Sequence, residues 1–326
     1  MFKKLFTIQN ANKGYCIDQS LLIYQSEKEV VQYGLGNERE ILRSISQDDF
    51  QGILKREEFV IGISNMGYTL LDSNFQTIKR VPVENGIGDY GLYNGSLIVV
   101  TTDYDYSLFL PKQGVQDVFT DKVLWEGNAG ENIKIESNIA FAVSFKEISR
   151  REITGGDVKW SNEVNSDSFV PELMGVSNGL VIFGLQEKDK IIALNVENGD
   201  LLWERTTLPQ YCRLDSSKNK IHLLTASYKA ISPEDGTEIS AFLDRSYFDS
   251  IGIFSQRSNF TMIGDHIITT DYKKGIIGAF NMITHKFDWV HEEPGVSFPA
   301  GKPIVYTEPY LFLHDNKDTL HVFKKV

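Results

Sequence analysis

Cysteines and long apolar runs are both scarce in this chain. Its 326 residues include only two cysteines, Cys16 and Cys212, which lie far apart. Two isolated thiols exclude a disulfide framework, and we interpret each as a buried thiol on a strand. No stretch approaches the roughly 18 apolar residues of a membrane-spanning helix. The start carries Lys3 and Lys4 but lacks the apolar run of a secretion signal, so we expect a cytoplasmic protein with no membrane partner.

Positive charge is also in deficit. The 33 lysines and arginines are outnumbered by 44 aspartates and glutamates, which gives a formal net charge of −11. Phosphate binding needs a cationic surface, so this balance excludes nucleic acid as the expected partner. A basic protein partner fits an acidic surface, although the same charge is typical of soluble proteins that have no charged partner.

Helical periodicity is missing as well, and a short phrase of strand, turn and strand recurs in its place. No long stretch places apolar residues at i, i+3, i+4 and i+7. The clearest copy runs from Ile191 to Arg205, with a glycine turn at Gly199 and an aromatic marker at Trp203. Further copies are Gly156 to Trp160, Gly236 to Ser240, and His285 to Trp289 with histidine in the glycine position. The chain is therefore predicted to be all-β.

The spacing of these markers predicts the architecture. Equivalent positions are Leu42, Lys79, Trp125, Trp160, Trp203, Ser240 and Trp289, with gaps of 37, 46, 35, 43, 37 and 49 residues. A repeat of about forty residues has the length of a four-stranded propeller blade. We therefore predict one domain over residues 1–326, a single β-propeller of four-stranded antiparallel blades.

The two ends of the chain predict how the ring closes. Three strands are expected at the C-terminus, and one strand, Lys3 to Ile8, remains unpaired at the N-terminus. If both ends share the last blade, no sheet edge is left exposed there. This closure predicts eight blades. Seven is the alternative if the short segment from Trp125 to Trp160 is not a full blade.

The phrase from Ala193 to Trp203, Ala-Leu-Asn-Val-Glu-Asn-Gly-Asp-Leu-Leu-Trp, resembles the repeat of the PQQ-like (quinoprotein alcohol dehydrogenase-like) β-propellers. Ile153 to Trp160 and Ala279 to Trp289 are similar, and Ala230 to Ser240 is a degenerate copy. The resemblance implies a propeller scaffold. The quinone enzymes of that family carry adjacent cysteines, a calcium site and a catalytic aspartate, and no residues of this sequence are assignable to those roles.

Motifs for chemistry are equally scarce. The six histidines form no His-x-x-x-His spacing, and neither Gly-x-Ser-x-Gly nor a phosphate-binding loop occurs. His314-Asp315 would bind a metal only with help from another blade. We therefore assign no catalytic, cofactor-binding or metal-binding residues and expect no cofactor.

Two segments exceed what a minimal blade needs. One is Thr102 to Tyr106, interpreted as a turn between the second and third strands of a blade. The other spans Asp244 to Ser250 and continues towards Arg257. Both connections are expected on the same face of a propeller, where loops of a rigid scaffold often bind partners. The candidate partner-binding residues are Asp103, Tyr104, Asp105, Tyr106, Arg245, Tyr247, Phe248 and Asp249. The alternative is that the aromatic residues among them pack between blades.

Two functions remain open at this point. The first is a non-catalytic, monomeric propeller that binds a protein, either as a scaffold or as an inhibitor or immunity-type binder of a basic partner. The second is a PQQ-like propeller enzyme or small-ligand binder that uses the central channel. Inward polar groups such as Asp18, Arg213 and Asp215 would favour the second.

Overall fold

The structure is a computed structural model whose strands make up eight four-stranded antiparallel sheets. It describes residues 1–11, 13–18, 21–25, 29–35, 41–46, 52–56, 59–64, 67–72, 76–82, 87–93, 96–105, 107, 110–136, 138–253, 260–271, 273–299, 302 and 304–326. Each sheet is one blade, and we number the blades in chain order.

The chain begins with β1 (Phe2–Ile8), which belongs to the last blade. Blade 1 contains β2 (Lys13–Asp18), β3 (Leu21–Gln25), β4 (Glu29–Gly34) and β5 (Ile41–Ser46). Blade 2 contains β6 (Gly52–Arg56), β7 (Phe59–Ser64), β8 (Gly67–Leu71) and β9 (Thr77–Pro82). Blade 3 contains β10 (Ile87–Tyr93), β11 (Ser96–Asp105), β12 (Leu110–Asp117) and β13 (Val123–Glu126). Blade 4 contains β14 (Asn132–Glu136), β15 (Ile139–Val143), β16 (Glu147–Arg151) and β17 (Val158–Glu163).

Blade 5 contains β18 (Glu172–Ser177), β19 (Leu180–Leu185), β20 (Lys190–Asn195) and β21 (Leu201–Thr206). Blade 6 contains β22 (Cys212–Asp215), β23 (Lys220–Leu224), β24 (Tyr228–Ile231) and β25 (Glu238–Phe242). Blade 7 contains β26 (Phe260–Ile263), β27 (His266–Thr270), β28 (Ile276–Asn281) and β29 (Lys286–Glu292). Blade 8 contains β30 (Val305–Thr307), β31 (Tyr310–His314) and β32 (Leu320–Lys325), and β1 completes it. Short 3-10 helices span Gln186–Lys188 and Pro209–Tyr211, and one α-helix, α1, spans Arg245–Ile251.

The predicted closure by the N-terminal strand is confirmed. Strand β1 pairs with β32 from Phe2 opposite Lys325 to Ile8 opposite Leu320. The ring also closes through its core, because Val31 and Leu35 of blade 1 share a hydrophobic cluster with Phe312 of blade 8. The strand order gives eight four-stranded sheets, which agrees with the predicted eight blades.

The hydrophobic core is divided among the gaps between neighbouring blades. Strands alternate their side chains between two faces, and a blade inside a ring has a neighbour on each face. Phe141 of blade 4, for example, packs edge-on against Phe183 of blade 5, with ring centroids 5.8 Å apart. Similar clusters join blades 3 and 4, 5 and 6, 6 and 7, and 7 and 8. The rigid part of the molecule is therefore this series of interfaces.

The recurring tryptophan links one blade to the next at three junctions, those of blades 3–4, 4–5 and 5–6. Trp160 of blade 4 donates its indole N–H to the carbonyl oxygen of Val196 in blade 5 at 2.8 Å. Its ring lies against Gly199, where a Cβ atom would come within 2.7 Å of the indole. Gly199 has a positive φ of 78°, so the glycine meets both a steric and a backbone requirement. The same contacts join Trp125 to the turn at Gly156, and Trp203 to the turn at Gly236.

The junctions of blades 2–3 and 6–7 are examples in which other residues take the place of this pair. Lys79 occupies the tryptophan position of blade 2 and donates to the carbonyl of Val118 at 3.0 Å while pairing with Asp121 at 2.5 Å. Asp121 has the positive φ of the glycine position, at 59°. At the junction of blades 6 and 7, Ser240 takes the tryptophan position. There the His285 ring stacks on the Phe242 ring, with ring centroids 5.4 Å apart.

Three details of the sequence interpretation were wrong. The turn expected from Thr102 to Tyr106 is wrong, because β11 continues through Thr102–Asp105 and the third strand of blade 3 is Leu110–Asp117. The long connection between blades 6 and 7 contains helix α1, where no helix was expected. The marker of blade 1 is Arg43 and not Leu42, because a register shift precedes it in β5.

Candidate interaction face

The loops of a propeller blade alternate between two faces. Because neighbouring strands are antiparallel, the connections from second to third strand and from fourth strand to the next blade end on the same face. We name this face the upper face. Both segments singled out in the sequence belong to it, since α1 joins β25 to β26 and the β11–β12 connection follows Asp105. Their common face agrees with the sequence interpretation.

Helix α1 is fixed by a cap and by an aromatic cluster. The Asp244 carboxylate accepts hydrogen bonds from the Ser246 hydroxyl at 2.6 Å and from the Tyr247 N–H at 3.1 Å. These bonds, the Ser246 hydroxyl first, hold the pKa of Asp244 below its usual range. Phe248 is only 2% exposed and packs on Phe280, with ring centroids 5.4 Å apart. The helix is therefore a rigid part of the rim.

The four candidate residues on α1 have different surroundings. Arg245 and Asp249 are exposed and form an i,i+4 ion pair at 3.7 Å. Tyr247 is half-buried, and its hydroxyl oxygen accepts the Phe287 N–H at 2.8 Å. Phe248 lies in the core of the blade 6–7 junction, which matches the packing alternative for this ring. Arg245 and Asp249 therefore present polar groups at the surface, while the two aromatic rings hold the helix in place.

The candidate residues of blade 3 lie along a long hairpin. Asp103 is exposed and pairs across the sheet with Lys112 in β12. Together with Gln113 these residues line a small cavity of about 230 Å³. The backbone of Tyr104 and Asp105 belongs to β11, and their side chains, like the whole of Tyr106, lie outside the described residues. Blades 4, 5 and 6 separate this hairpin from α1, so the two segments are not in direct contact along the ring.

The sequence analysis missed an apolar series that spans the interval between those segments. Five large apolar side chains are exposed at upper-face positions of blades 3 to 6 and their connections. They are Leu110 (41% exposed), Phe145 (43%), Phe169 (54%), Leu208 (39%) and Leu243 (63%). We name this set the apolar arc. No periodic signal marks it, because each residue lies in or beside a connection and not at a fixed strand position.

Phe169 is held at the surface by a rigid loop. The carboxylate of Glu187 accepts hydrogen bonds from the Ser166 hydroxyl and from the backbone N–H groups of Asp167 and Ser168, at 2.7 to 3.0 Å. These bonds, led by the one from Ser166, lower the pKa of Glu187. The loop from 164 to 171 is thus fixed to the neighbouring connection of blade 5. An ordered aromatic ring that faces solvent loses little entropy on binding.

Acidic groups predominate among the connections around the arc. In the described upper-face connections between residues 127 and 253 the carboxylates are Glu131, Asp167, Glu187, Asp189, Asp244 and Asp249. The cations of the same connections are Lys146, Lys188 and Arg245. The described upper-face connections around the arc therefore carry more carboxylates than cations.

A cavity of about 470 Å³ lies beside the arc at the inner strands of blades 3, 4 and 5. The first strands of neighbouring blades contact one another around the ring, which places them innermost. Asp89 on β10 accepts the Ile135 N–H of β14 at 2.9 Å, and Glu172 on β18 accepts from the Gln186 side-chain amide at 3.0 Å. Val170 and Pro171 line its end at the upper face. We name this space the central cavity.

Of the other polar groups expected in the channel, Asp215 has a structural partner. Asp215 accepts the Ser217 hydroxyl at 2.6 Å and so holds a turn, while Arg213 is half-buried on β22. The side chain of Asp18 lies outside the described residues. These residues therefore give no support to a catalytic centre in the channel.

Histidines and carboxylates meet at the blade 7–8 junction. The His321 Nε2 lies 2.9 Å from Asp315, and Asp315 also accepts the N–H groups of Lys317 and Thr319. His314 is buried beside them, and burial lowers the pKa of its imidazole to about 4. Among the described residues no group of three or more His, Cys, Asp or Glu side chains is placed to hold a metal.

The described part of the chain contains no helix of the length and apolarity that a membrane crossing requires. No family model and no curated protein matches the sequence. The fold, by contrast, is similar to that of solved propellers over nearly the whole chain.

Three of these structures cover essentially all of both chains. BamB from Moraxella catarrhalis has 10% identity, a TM-score of 0.68 and coverage of 100% of each chain. Sqt1 from Saccharomyces cerevisiae has 10% identity, a TM-score of 0.70 and coverage of 99% and 98%. The C-terminal WD40 domain of Sif2 has 9% identity, a TM-score of 0.72 and coverage of 100% and 99%. At such identities the likeness shows the fold alone, and this chain has the fold of a β-propeller.

Proposed function

We propose that this protein is a non-catalytic interaction propeller that binds a basic protein through its upper face. The apolar arc carries this proposal. Monomeric proteins expose single apolar residues everywhere, but a run of large ones along one face is typical of a binding surface. Phe169 is the central anchor, because it is the aromatic ring of the arc with the greatest exposure and its loop is fixed by Glu187.

The charges around the arc define the class of partner. Carboxylates at the rim attract a cationic surface over a distance of about one Debye length and so accelerate its encounter. The exposed ion pair of Arg245 and Asp249 adds a polar group at one end of the arc, and Asp103 adds a carboxylate at the other. We assign Asp103, Arg245 and Asp249 to the polar border of this surface. A cytoplasmic, monomeric protein of the PQQ-like type, which acts as a scaffold or as an inhibitor of its partner, fits this arrangement.

A second function is favoured by the central cavity. Its volume of about 470 Å³ lies within the range of ligand pockets, roughly 300–1,000 Å³. A small molecule bound there would make the protein a ligand binder or a propeller enzyme. The upper face is the better supported site, because the exposed apolar rings have no function in a protein that binds only a small molecule inside the ring.

The experiment compares an exposed apolar residue of the arc with an exposed apolar residue outside it. Phe169→Ala removes the anchor of the arc, and Val158→Ala removes a side chain of similar exposure (52%) on the outer strand β17. A partner is first recovered by affinity capture from the native host and purified. Titrations then measure its dissociation constant for each variant at two salt concentrations.

We expect Phe169→Ala to weaken binding by about 1–3 kcal/mol, as loss of an aromatic anchor does, and Val158→Ala to leave it within a factor of two. Higher salt should slow association of the unmodified protein. If both variants bind alike, or if recovered proteins bind only the face opposite the upper face, the proposal is wrong.

A further inference from the structure

We propose that the central cavity receives a lysine or arginine side chain from an extended segment of the basic partner. This inference rests on the proposed function and adds a specific recognition site to it. The upper face then has two parts, an apolar arc that supplies contact area and a cavity that selects one charged side chain.

The position of the cavity supports this arrangement. It reaches the upper face at Val170 and Pro171, which belong to the same loop as Phe169. A chain segment that lies over Phe169 is therefore beside the cavity entrance. The cavity is narrow for a folded domain but large enough for side chains, at about 470 Å³.

The walls of the cavity match a long cationic side chain. Val143, Leu173 and Met174 supply apolar surface suited to methylene groups. Asp89 and Glu172 bring carboxylates from two different blades, and Lys134 is the one cation among the described lining residues. An ammonium or guanidinium group at the end of those methylenes would complete charge-assisted hydrogen bonds with these carboxylates.

Both carboxylates already accept a hydrogen bond from the protein itself. One oxygen of Asp89 accepts the Ile135 N–H across the blade junction, and one oxygen of Glu172 accepts from Gln186. Each bond orients its carboxylate and still leaves acceptor capacity, because an ionised carboxylate has about four lone-pair sites. Such preorganised acceptors bind a cation with a small loss of side-chain entropy.

The test uses two fluorescein-labelled peptides of equal length, one alternating lysine and leucine and one alternating glutamate and leucine. Anisotropy titrations measure their binding to the full chain and to three variants. Glu172→Gln and Asp89→Asn remove a cavity charge while keeping an oxygen that accepts the existing hydrogen bond. Glu204→Gln removes a charge from the outer strand of the same blade as Glu172, where it pairs with Lys190, and serves as the matched control.

We expect the lysine peptide to bind and the glutamate peptide to fail. Glu172→Gln and Asp89→Asn should each raise the dissociation constant of the lysine peptide about threefold to tenfold, which lies between the effects of losing an exposed and a desolvated ion pair. Glu204→Gln should raise it less than about twofold. Equal affinities for all variants, or no binding of the lysine peptide, would overturn the inference.

A second arm separates this inference from the proposed function. The partner recovered by affinity capture is titrated against Glu172→Gln and against Phe169→Ala. Loss of affinity in both variants supports the cavity as part of the partner site. If only Phe169→Ala weakens the partner, the cavity inference fails while the proposed function stands. If neither weakens it, both fail.

Discussion

Two glycines of blade 5 provide a matched test of the contact that joins one blade to the next. Gly199 and Gly179 have nearly equal positive φ angles, 78° and 77°. Alanine at either position therefore incurs the same backbone penalty, about 1–2 kcal/mol. Their surroundings differ completely. A Cβ atom on Gly199 would lie 2.7 Å from the Trp160 ring, whereas a Cβ atom on Gly179 would meet nothing within 4 Å.

The predicted difference follows from that contact. Gly199→Ala must displace an indole that is 7% exposed, and overpacking of this kind costs about 1–3 kcal/mol. A displaced indole also loses its 2.8 Å hydrogen bond to Val196, which adds about 1 kcal/mol. We therefore expect Gly199→Ala to reduce the free energy of unfolding by about 2–4 kcal/mol more than Gly179→Ala does.

Urea unfolding followed by tryptophan fluorescence measures both variants. A double-mutant cycle with Trp160→Leu adds a further check, because a smaller side chain should relieve the clash and make the two losses less than additive. Equal destabilisation by Gly199→Ala and Gly179→Ala, or full additivity in the cycle, would refute the interlocking role of the indole.

Two further predictions concern the last blade and the buried histidines. Phe2→Ala should reduce the free energy of unfolding by about 3 kcal/mol, because Phe2 is 7% exposed in the blade 7–8 core. Lys3 is exposed, and Lys3→Ala should change that free energy by less than about 0.5 kcal/mol. Equal urea midpoints for the two variants would contradict closure by β1. Burial lowers the pKa of His222 and of His314 to about 4, below the unfolded value of about 6.5, so the unfolded chain binds more protons between these values. Each histidine should therefore lower the free energy of unfolding by up to about 3 kcal/mol as pH falls from 6.5 towards 4. His314→Gln should make the urea midpoint depend less on pH in this range. An unchanged slope of midpoint against pH would contradict this.

The repeat architecture was predictable because its physical requirements recur in the sequence. A glycine followed four residues later by tryptophan marks a positive-φ turn, which receives the indole of the preceding blade, and the indole that covers the next junction. The same logic extended to Lys79, whose ammonium group replaces the indole N–H as the donor to the next blade. The blade 1 marker, Arg43, was misplaced by one residue, since this blade has neither a tryptophan at the marker nor a glycine four residues before it.

The candidate site was predictable only in part. The sequence correctly placed both unusual segments on one face, but it could not distinguish Phe248, which is buried, from Arg245, which is exposed. The packing that separates them depends on Phe280 of the next blade, far away in sequence. The exposure of Phe169 was missed for a similar reason. Many apolar residues in connections are buried, and only the packing of neighbouring residues in the fold shows that Phe169 is exposed.

Site-specific photo-crosslinking in the native host tests the central claim most directly. A benzophenone amino acid replaces Phe169 on the upper face in one strain and Val158 on the outer strand β17 in another, and cross-linked products are identified by mass spectrometry. The account predicts one predominant cross-linked protein with a basic surface at position 169, and little or none of it at position 158. Equal cross-linking at both positions, or cross-linking of that protein at position 158 alone, would contradict it.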